Sequence, residues 1–110
     1  MNWKDLTSAQ QLQQIVETSK TIPVLIFKHS TSCSISQMAK FRLESDWKFQ
    51  DEQVVPYYLD LLAHRDISNQ VAEDFSVHHE SPQVLVIKNG ECTYETSHLD
   101  ITVDEIGTEI

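Results

Sequence analysis

Pro23 is followed by Val24-Leu25-Ile26-Phe27, an unbroken run of large apolar residues, with polar side chains returning only at Lys28 and His29. A strand with one wet face alternates apolar and polar residues. A continuous run of strand length therefore predicts a strand covered on both faces. Within 110 residues, the simplest arrangement that achieves this is the middle of a sheet with helices above and below it. That length fits one domain, and it buries about two-thirds of the unfolded surface without needing staples or metals.

The remaining pattern is consistent with such a sheet. Ser8 to Ser19 reads as a helix with Leu12, Ile15 and Val16 on one face, Thr7 as its cap and Gln10 reaching back to complete a capping box. Cys33 to about Lys48 lacks Gly and Pro and reads as a second helix, with Ile35, Met38, Phe41, Leu43 and Trp47 as its apolar positions. Val54 to Leu59 is the next strand, and Pro56, which cannot donate a ladder hydrogen bond, predicts that it lies on a sheet edge. Asp66 opens a third helix whose Ile67, Val71 and Phe75 recur every four residues. Gln83–Lys88 and Glu91–Glu95 flank Asn89-Gly90, the strongest short hairpin signal. A short helix follows Thr102. The order is α-β-α-β-α-β-β-α, and a right-handed crossover makes the first two strands parallel neighbours. Residues 1–110 are expected to form one α/β domain of thioredoxin-like arrangement, a four-stranded mixed sheet with helices on both faces.

Composition narrows the function. Lys+Arg 8 against Asp+Glu 17 gives a net charge of -9, which disfavours nucleic acid and anionic membranes as partners. Met1-Asn2-Trp3-Lys4-Asp5 has no cationic start followed by an apolar run, so no secretory signal is expected. Ile22 to Phe27, the longest apolar stretch, is far short of the roughly 20 residues that span a bilayer. With only Cys33 and Cys92, a disulfide framework is not expected, and the cytoplasm is the expected location.

Cys33 falls just beyond the carboxyl end of the central strand and at the start of a helix, where open α/β sheets bind ligands. The unpaired N–H groups and partial positive charge there favour a thiolate over a thiol, and the thiolate is the nucleophile. Ser30, Thr31, Ser32, Ser34 and Ser36 around it are not the composition of a core site. Cys33-Ser34-Ile35-Ser36 is a Cys-x-x-Ser. Ser36 can donate a hydrogen bond to the Cys33 sulfur but cannot close a disulfide, so the mechanism is monothiol and an external thiol must complete it. Cys92 is expected at the opposite end of the sheet, about 15 Å or more away against the roughly 7 Å that a disulfide tolerates, and reads as structural. Pro82 enters the last sheet pair opposite the Cys33 loop. A cis Ser81–Pro82 bond is expected there, turning the Ser81 backbone towards an extended substrate. His29, His78, His79 and His98 match no metal spacing, and no metal site is expected. His29 stands four residues before Cys33, near enough to tune it, and His98 is a candidate for the rim of the ligand site. Lys28, Lys40 and Arg65 are candidate local cations. No Arg follows at Cys-x₅-Arg spacing, which disfavours a phosphatase or arsenate reductase of that type.

Lys28-His29-Ser30-Thr31-Ser32-Cys33-Ser34-Ile35-Ser36, His79-Glu80-Ser81-Pro82-Gln83, Asn89-Gly90-Glu91 and Thr96-Ser97-His98 resemble the YtxJ-like family, the monothiol bacilliredoxins. The resemblance runs from about Leu6 to the end and departs from the usual Thr-Cys-Pro-Ile-Ser at Ser32 and Ser34. It implies a thioredoxin-like protein that removes bacillithiol from S-bacillithiolated cytosolic proteins, with Cys33 as nucleophile and Pro82 as the cis-proline. Together with the residue reading, this makes Cys33 and Ser36 the candidate catalytic residues and Ser32, Ser34, Ser81, Pro82 and His98 the candidate substrate-binding ones. Bacillithiol is the expected co-substrate, with no tightly bound cofactor. Expected partners are S-bacillithiolated client proteins and either bacillithiol or a recycling redoxin, acting on a monomer. Two alternatives are a glutaredoxin-like iron–sulfur carrier using Cys33 and a non-catalytic thioredoxin-like binding module.

Overall fold

In the computed structural model, which describes residues 1–110, the elements in chain order are β1 (Lys4–Asp5), α1 (Gln10–Thr18), β2 (Val24–His29), α2 (Ser34–Asp46), β3 (Val55–Asp60), α3 (Arg65–Asp74), β4 (Gln83–Lys88), β5 (Glu91–Ser97) and α4 (Val103–Glu109), with a 3₁₀ turn at His98–Asp100 before the last helix. All of β2 is buried, as its sequence demands. It lies at the centre of the sheet, parallel to β3 and antiparallel to β4.

The sheet has five strands in the order β1-β3-β2-β4-β5, not the four expected. The addition is β1, whose Lys4 and Asp5 pair in parallel with Tyr57 and Tyr58. Anchors on either side hold these two exposed residues in place. Trp3 stacks on Phe27 with ring centroids 5.6 Å apart and donates its indole N–H to Glu44 at 2.8 Å. Leu6 is fully buried and donates its N–H to the Tyr58 carbonyl at 2.8 Å. Hence β3 is not the edge strand. Its proline is accommodated because Val55 N–H bonds back to the Pro23 carbonyl, which turns the next residue, Pro56, away from β2. On that outer side the pairing with β1 begins only at Tyr57, so no ladder bond is missing.

Alternation along β2 builds two cores. Val24 and Ile26 join Leu12, Ile15, Ile67, Val71 and Phe75 beneath α1 and α3. Leu25 and Phe27 join Ala39, Leu43, Val103 and Ile106 beneath α2 and α4. The buried side of α2 is Ser36, Ala39 and Leu43. Of the apolar positions read from the sequence, Leu43 is buried, whereas Ile35, Met38 and Phe41 are exposed, by 43%, 55% and 70%. Helix α1 begins at Gln10 rather than Ser8, and the expected Thr7–Gln10 box is absent. Gln11 replaces it, its Oε1 accepting from the N–H groups of Thr7 at 2.7 Å and Ser8 at 3.1 Å. Thr102 caps α4, accepting from Glu105 N–H at 3.2 Å.

The hairpin turns where Asn89-Gly90 predicts, both with positive φ, 53° and 77°, as the favoured two-residue turns require. Its tip is tied to the end of α1. Asn89 N–H donates to the Ser19 carbonyl and Gly90 N–H to the Ser19 hydroxyl, each at 2.9 Å. No helix is long and apolar enough to cross a membrane.

Candidate active site

Cys33 sits at the junction the sequence predicts. It occupies the N-cap of α2 in extended conformation, with φ -108° and ψ 123°. Its N–H donates to the Ser30 carbonyl at 3.2 Å, and its own carbonyl accepts the first helical bond, from Gln37 at 3.0 Å. The Gln37 amide reaches back to the Thr31 carbonyl at 2.8 Å and closes the loop. The N–H groups of Ser34, Ile35 and Ser36 thus have no helical carbonyl behind them, and they concentrate positive potential beside the sulfur. Cys33 is free and half-exposed.

The register brings the other candidates to the same end. Lys28 pairs with Gln83 and Gln83 with Ser97, which sets Pro82 and His98 across from the Cys33 loop. The Ser81–Pro82 bond is cis, and His98 N–H donates to the Pro82 carbonyl at 3.0 Å. The His98 ring faces the Glu80 carboxylate at 3.6 Å. Fully buried Gln83 steadies this loop, its amide donating to the His78 carbonyl at 3.0 Å and to Glu95 at 2.9 Å. The hydroxyl of Ser81 is buried without a partner. Ser32 and Ser34 are exposed on either side of Cys33.

Two expectations about side chains do not hold. Ser36 makes no hydrogen bond to the Cys33 sulfur. It is fully buried, and its Oγ accepts the Ser30 N–H at 3.0 Å and lies 2.7 Å from His29 Nδ1. Lys28 is not a cation facing a ligand either. On the α3 side of β2 it is fully buried, 3.2 Å from the Ser68 carbonyl and 3.3 Å from His79 Nδ1, and burial lowers its pKa from 10.5 to about 8. Burial, followed by the Lys28 charge, also pushes His79 down. Lys40 is held by Glu44 at 2.9 Å above the Tyr58 ring, and Arg65 is exposed at the start of α3. His29, a lesser candidate on sequence, is the histidine in contact with the Cys-x-x-Ser motif, through Ser36. The alternation that points Leu25 and Phe27 at α2 points His29 there too, and burial followed by Lys40 lowers its pKa against the pull of Asp60, Ser36 and Glu44. An open cleft of about 380 Å³ beside α2 includes His29, Lys40, Glu44 and Tyr58. A larger groove of about 520 Å³ between α1 and α3 holds no nucleophile. No group of three or more His, Cys, Asp or Glu stands together as a metal donor set.

Cys92 is at the far end. It pairs with Ile87, which pairs with Val24 at the start of β2. The four steps from Val24 to Lys28 alone span about 13 Å, well beyond disulfide reach of Cys33.

The sequence model of the monothiol bacilliredoxin BrxC family matches residues 4–106. The chain belongs to this family. A solved protein described as a candidate oxidoreductase with a thioredoxin fold is 33% identical, with a TM-score of 0.79 over 96% of this chain and 90% of that one. The thioredoxin of Malassezia sympodialis is 18% identical, with a TM-score of 0.75 over 97% of this chain and 86% of that one. The thioredoxin of Trypanosoma brucei brucei is 12% identical, with a TM-score of 0.76 over 98% and 87%. At those identities the thioredoxins establish the fold alone. The family and its oxidoreductase neighbour make this chain a thiol oxidoreductase of thioredoxin fold.

Proposed function

We propose that the protein removes bacillithiol from S-bacillithiolated cytoplasmic proteins by a monothiol cycle on Cys33. The ionised Cys33 sulfur attacks the bacillithiol sulfur of the client's mixed disulfide. A Cys33–bacillithiol disulfide forms, and the client's sulfur leaves as a thiolate that takes up a proton. A second thiol, either bacillithiol or a partner redoxin, then attacks the same bacillithiol sulfur and releases the Cys33 thiolate. The observation that carries this reading is a sulfur at a strand-to-helix junction with no second sulfur within disulfide reach. Cys33 lies at a helix N-terminus with Ser36 three residues on, and Cys92 is at the other end of the sheet.

Each remaining part has a role in this cycle. Ser32 and Ser34 line the approach to the sulfur, Ser81 and Pro82 face the incoming disulfide, and His98 sits at the rim beside Glu80. Exposed Ile35 and Met38, in the first turns after Cys33, offer an apolar rest for a client polypeptide. Bacillithiol is a co-substrate and not a resident cofactor, and the monomer is sufficient. A turnover assay on a bacillithiolated client tests the reading. Cys33→Ala is expected to reduce the rate to the uncatalysed background, and Cys92→Ala to keep most of it. Equal activity in wild type and Cys33→Ala would sink it.

A further inference from the structure

The serine of the Cys-x-x-Ser motif is the hydroxyl that the motif offers to the Cys33 thiolate, yet it is turned elsewhere. Ser36 is fully buried. Its Oγ has two polar partners, the Ser30 N–H at 3.0 Å and His29 Nδ1 at 2.7 Å. A hydroxyl carries one proton and two acceptor positions. The Ser30 amide takes up an acceptor position, because an N–H can only donate. The Ser36 proton then has a single acceptor in reach, His29 Nδ1. Were Nδ1 to carry its own proton, the Ser36 proton would be buried with no partner, an arrangement folded proteins avoid.

We infer that His29 is a positioning residue that withholds the Ser36 hydroxyl from Cys33: Ser36 donates to a neutral His29 protonated at Nε2, and the Cys33 thiolate is supported by helix N–H groups alone. The geometry is specific to this strand position. His29 is 3% exposed and lies between the Phe27 and Tyr58 rings, each centroid 5.6 Å away, which hold the ring against Ser36. The charged and titratable groups facing it are Lys40 and Glu44 on α2 and Asp60 and Tyr58 on β3. The positions of Cys33 and Ser36 on the helix are those at which dithiol oxidoreductases close a disulfide, so a released Ser36 hydroxyl reaches the sulfur by rotation about χ1.

The arrangement keeps the nucleophile strong. A hydrogen bond from Ser36 would favour ionisation of Cys33 by about tenfold. At a Brønsted slope of about 0.5 it would also weaken attack by the ionised sulfur about threefold. With one cysteine at the site and no resolving partner in reach, attack on the incoming disulfide is the step the protein must itself drive. This inference rests on the nucleophilic role of Cys33 proposed above.

The test is the pH profile of Cys33 alkylation by iodoacetamide in a Cys92→Ala background, for which His29→Phe keeps the ring packing and removes the acceptor. Relative to the parent, His29→Phe is expected to react about threefold faster on the acid limb and about threefold slower on the alkaline plateau. His29→Asn, which restores an acceptor near the Nδ1 position, should return the parent profile. The double variant His29→Phe/Ser36→Ala should lose the crossover. A His29→Phe profile that superimposes on the parent, or a crossover that persists without Ser36, overturns the inference. A loss of alkylation in the parent protein itself would instead defeat the functional reading. Long-range ¹H–¹⁵N NMR of the unmutated, reduced protein decides the point without any variant. An Nε2–H tautomer for His29 is expected, and a proton on Nδ1 overturns the assignment.

Discussion

The two ends of the sheet each carry one cysteine and treat it in opposite ways. At the hairpin end, Cys92 sits within an antiparallel pair, half-buried against the α1/α3 core, and its thiol donates to the Tyr94 carbonyl at 3.3 Å. Burial pushes its pKa up, with the Glu95 charge adding to the rise and the backbone hydrogen bonds at Tyr94 and Val86 opposing it. At the other end, β2 terminates and the chain turns into a helix. Cys33 has left the ladder and caps a helix whose first N–H groups are unpaired, with the same partial exposure as Cys92. A strand pair uses most of its backbone donors in its own ladder and leaves few to stabilise an anion. A strand-to-helix junction leaves donors over, and reactivity collects there.

The sharpest way to break this contrast is chemical. Iodoacetamide applied to the folded protein at neutral pH should modify Cys33 well before Cys92, whose thiol burial holds in the protonated form. Comparable labelling of both residues in the native protein would erase the distinction between the two ends.

The second prediction concerns the polar interior beneath the active end. Lys28 holds its proton to about pH 8 in the folded chain and to 10.5 when unfolded. Between those values the unfolded chain carries more protons, so stability rises with pH, and below about pH 8 the burial penalty is at full size. Wild type should gain up to about 3 kcal/mol across that window relative to Lys28→Met, read from urea unfolding at successive pH values. A constant difference would mean that Lys28 is solvated in the folded protein.

At the hairpin end, Gly90→Ala places a side chain at φ 77° with its Cβ 3.3 Å from Val16 Cγ1. It should cost about 1–2 kcal/mol while leaving the Cys33 alkylation rate untouched. A change in that rate would show that the two ends are coupled. The smallest effect is expected at Met38, 55% exposed in the second turn of α2. Met38→Ser should raise KM for a protein client by about threefold, less than 1 kcal/mol, and leave a small disulfide substrate unaffected. Equal effects on both substrates would remove the apolar rest from the account.

Much of this was legible in the sequence because its signals are local. The Val24–Phe27 run, the Asn89-Gly90 turn, the short helix after Thr102 and the position of Cys33 each depend on a few consecutive residues, and each appears where the sequence puts it. The misses share a different cause. Strand β1 is two exposed polar residues with no periodicity to detect, fixed by the flanking Trp3 and Leu6. The outward face of α2 carries Ile35, Met38 and Phe41, while small Ser36 and Ala39 sit against the sheet, so spacing alone does not separate the two faces. The Ser36–His29 bond was hidden for a related reason. Serine in a Cys-x-x-Ser suggests a bond to cysteine, and only the alternation of β2 in three dimensions reveals the competing acceptor. The burial of Lys28 follows from the same alternation.

The central claim, one working sulfur per chain, meets its most direct test in the intact mass of the reduced protein after exposure to bacillithiol disulfide. The account predicts a single bacillithiol adduct in wild type and in Cys92→Ala, mapped to Cys33 and absent from Cys33→Ser. Two adducts on the folded wild type, an internal Cys33–Cys92 disulfide, or an adduct that survives in Cys33→Ser would contradict it.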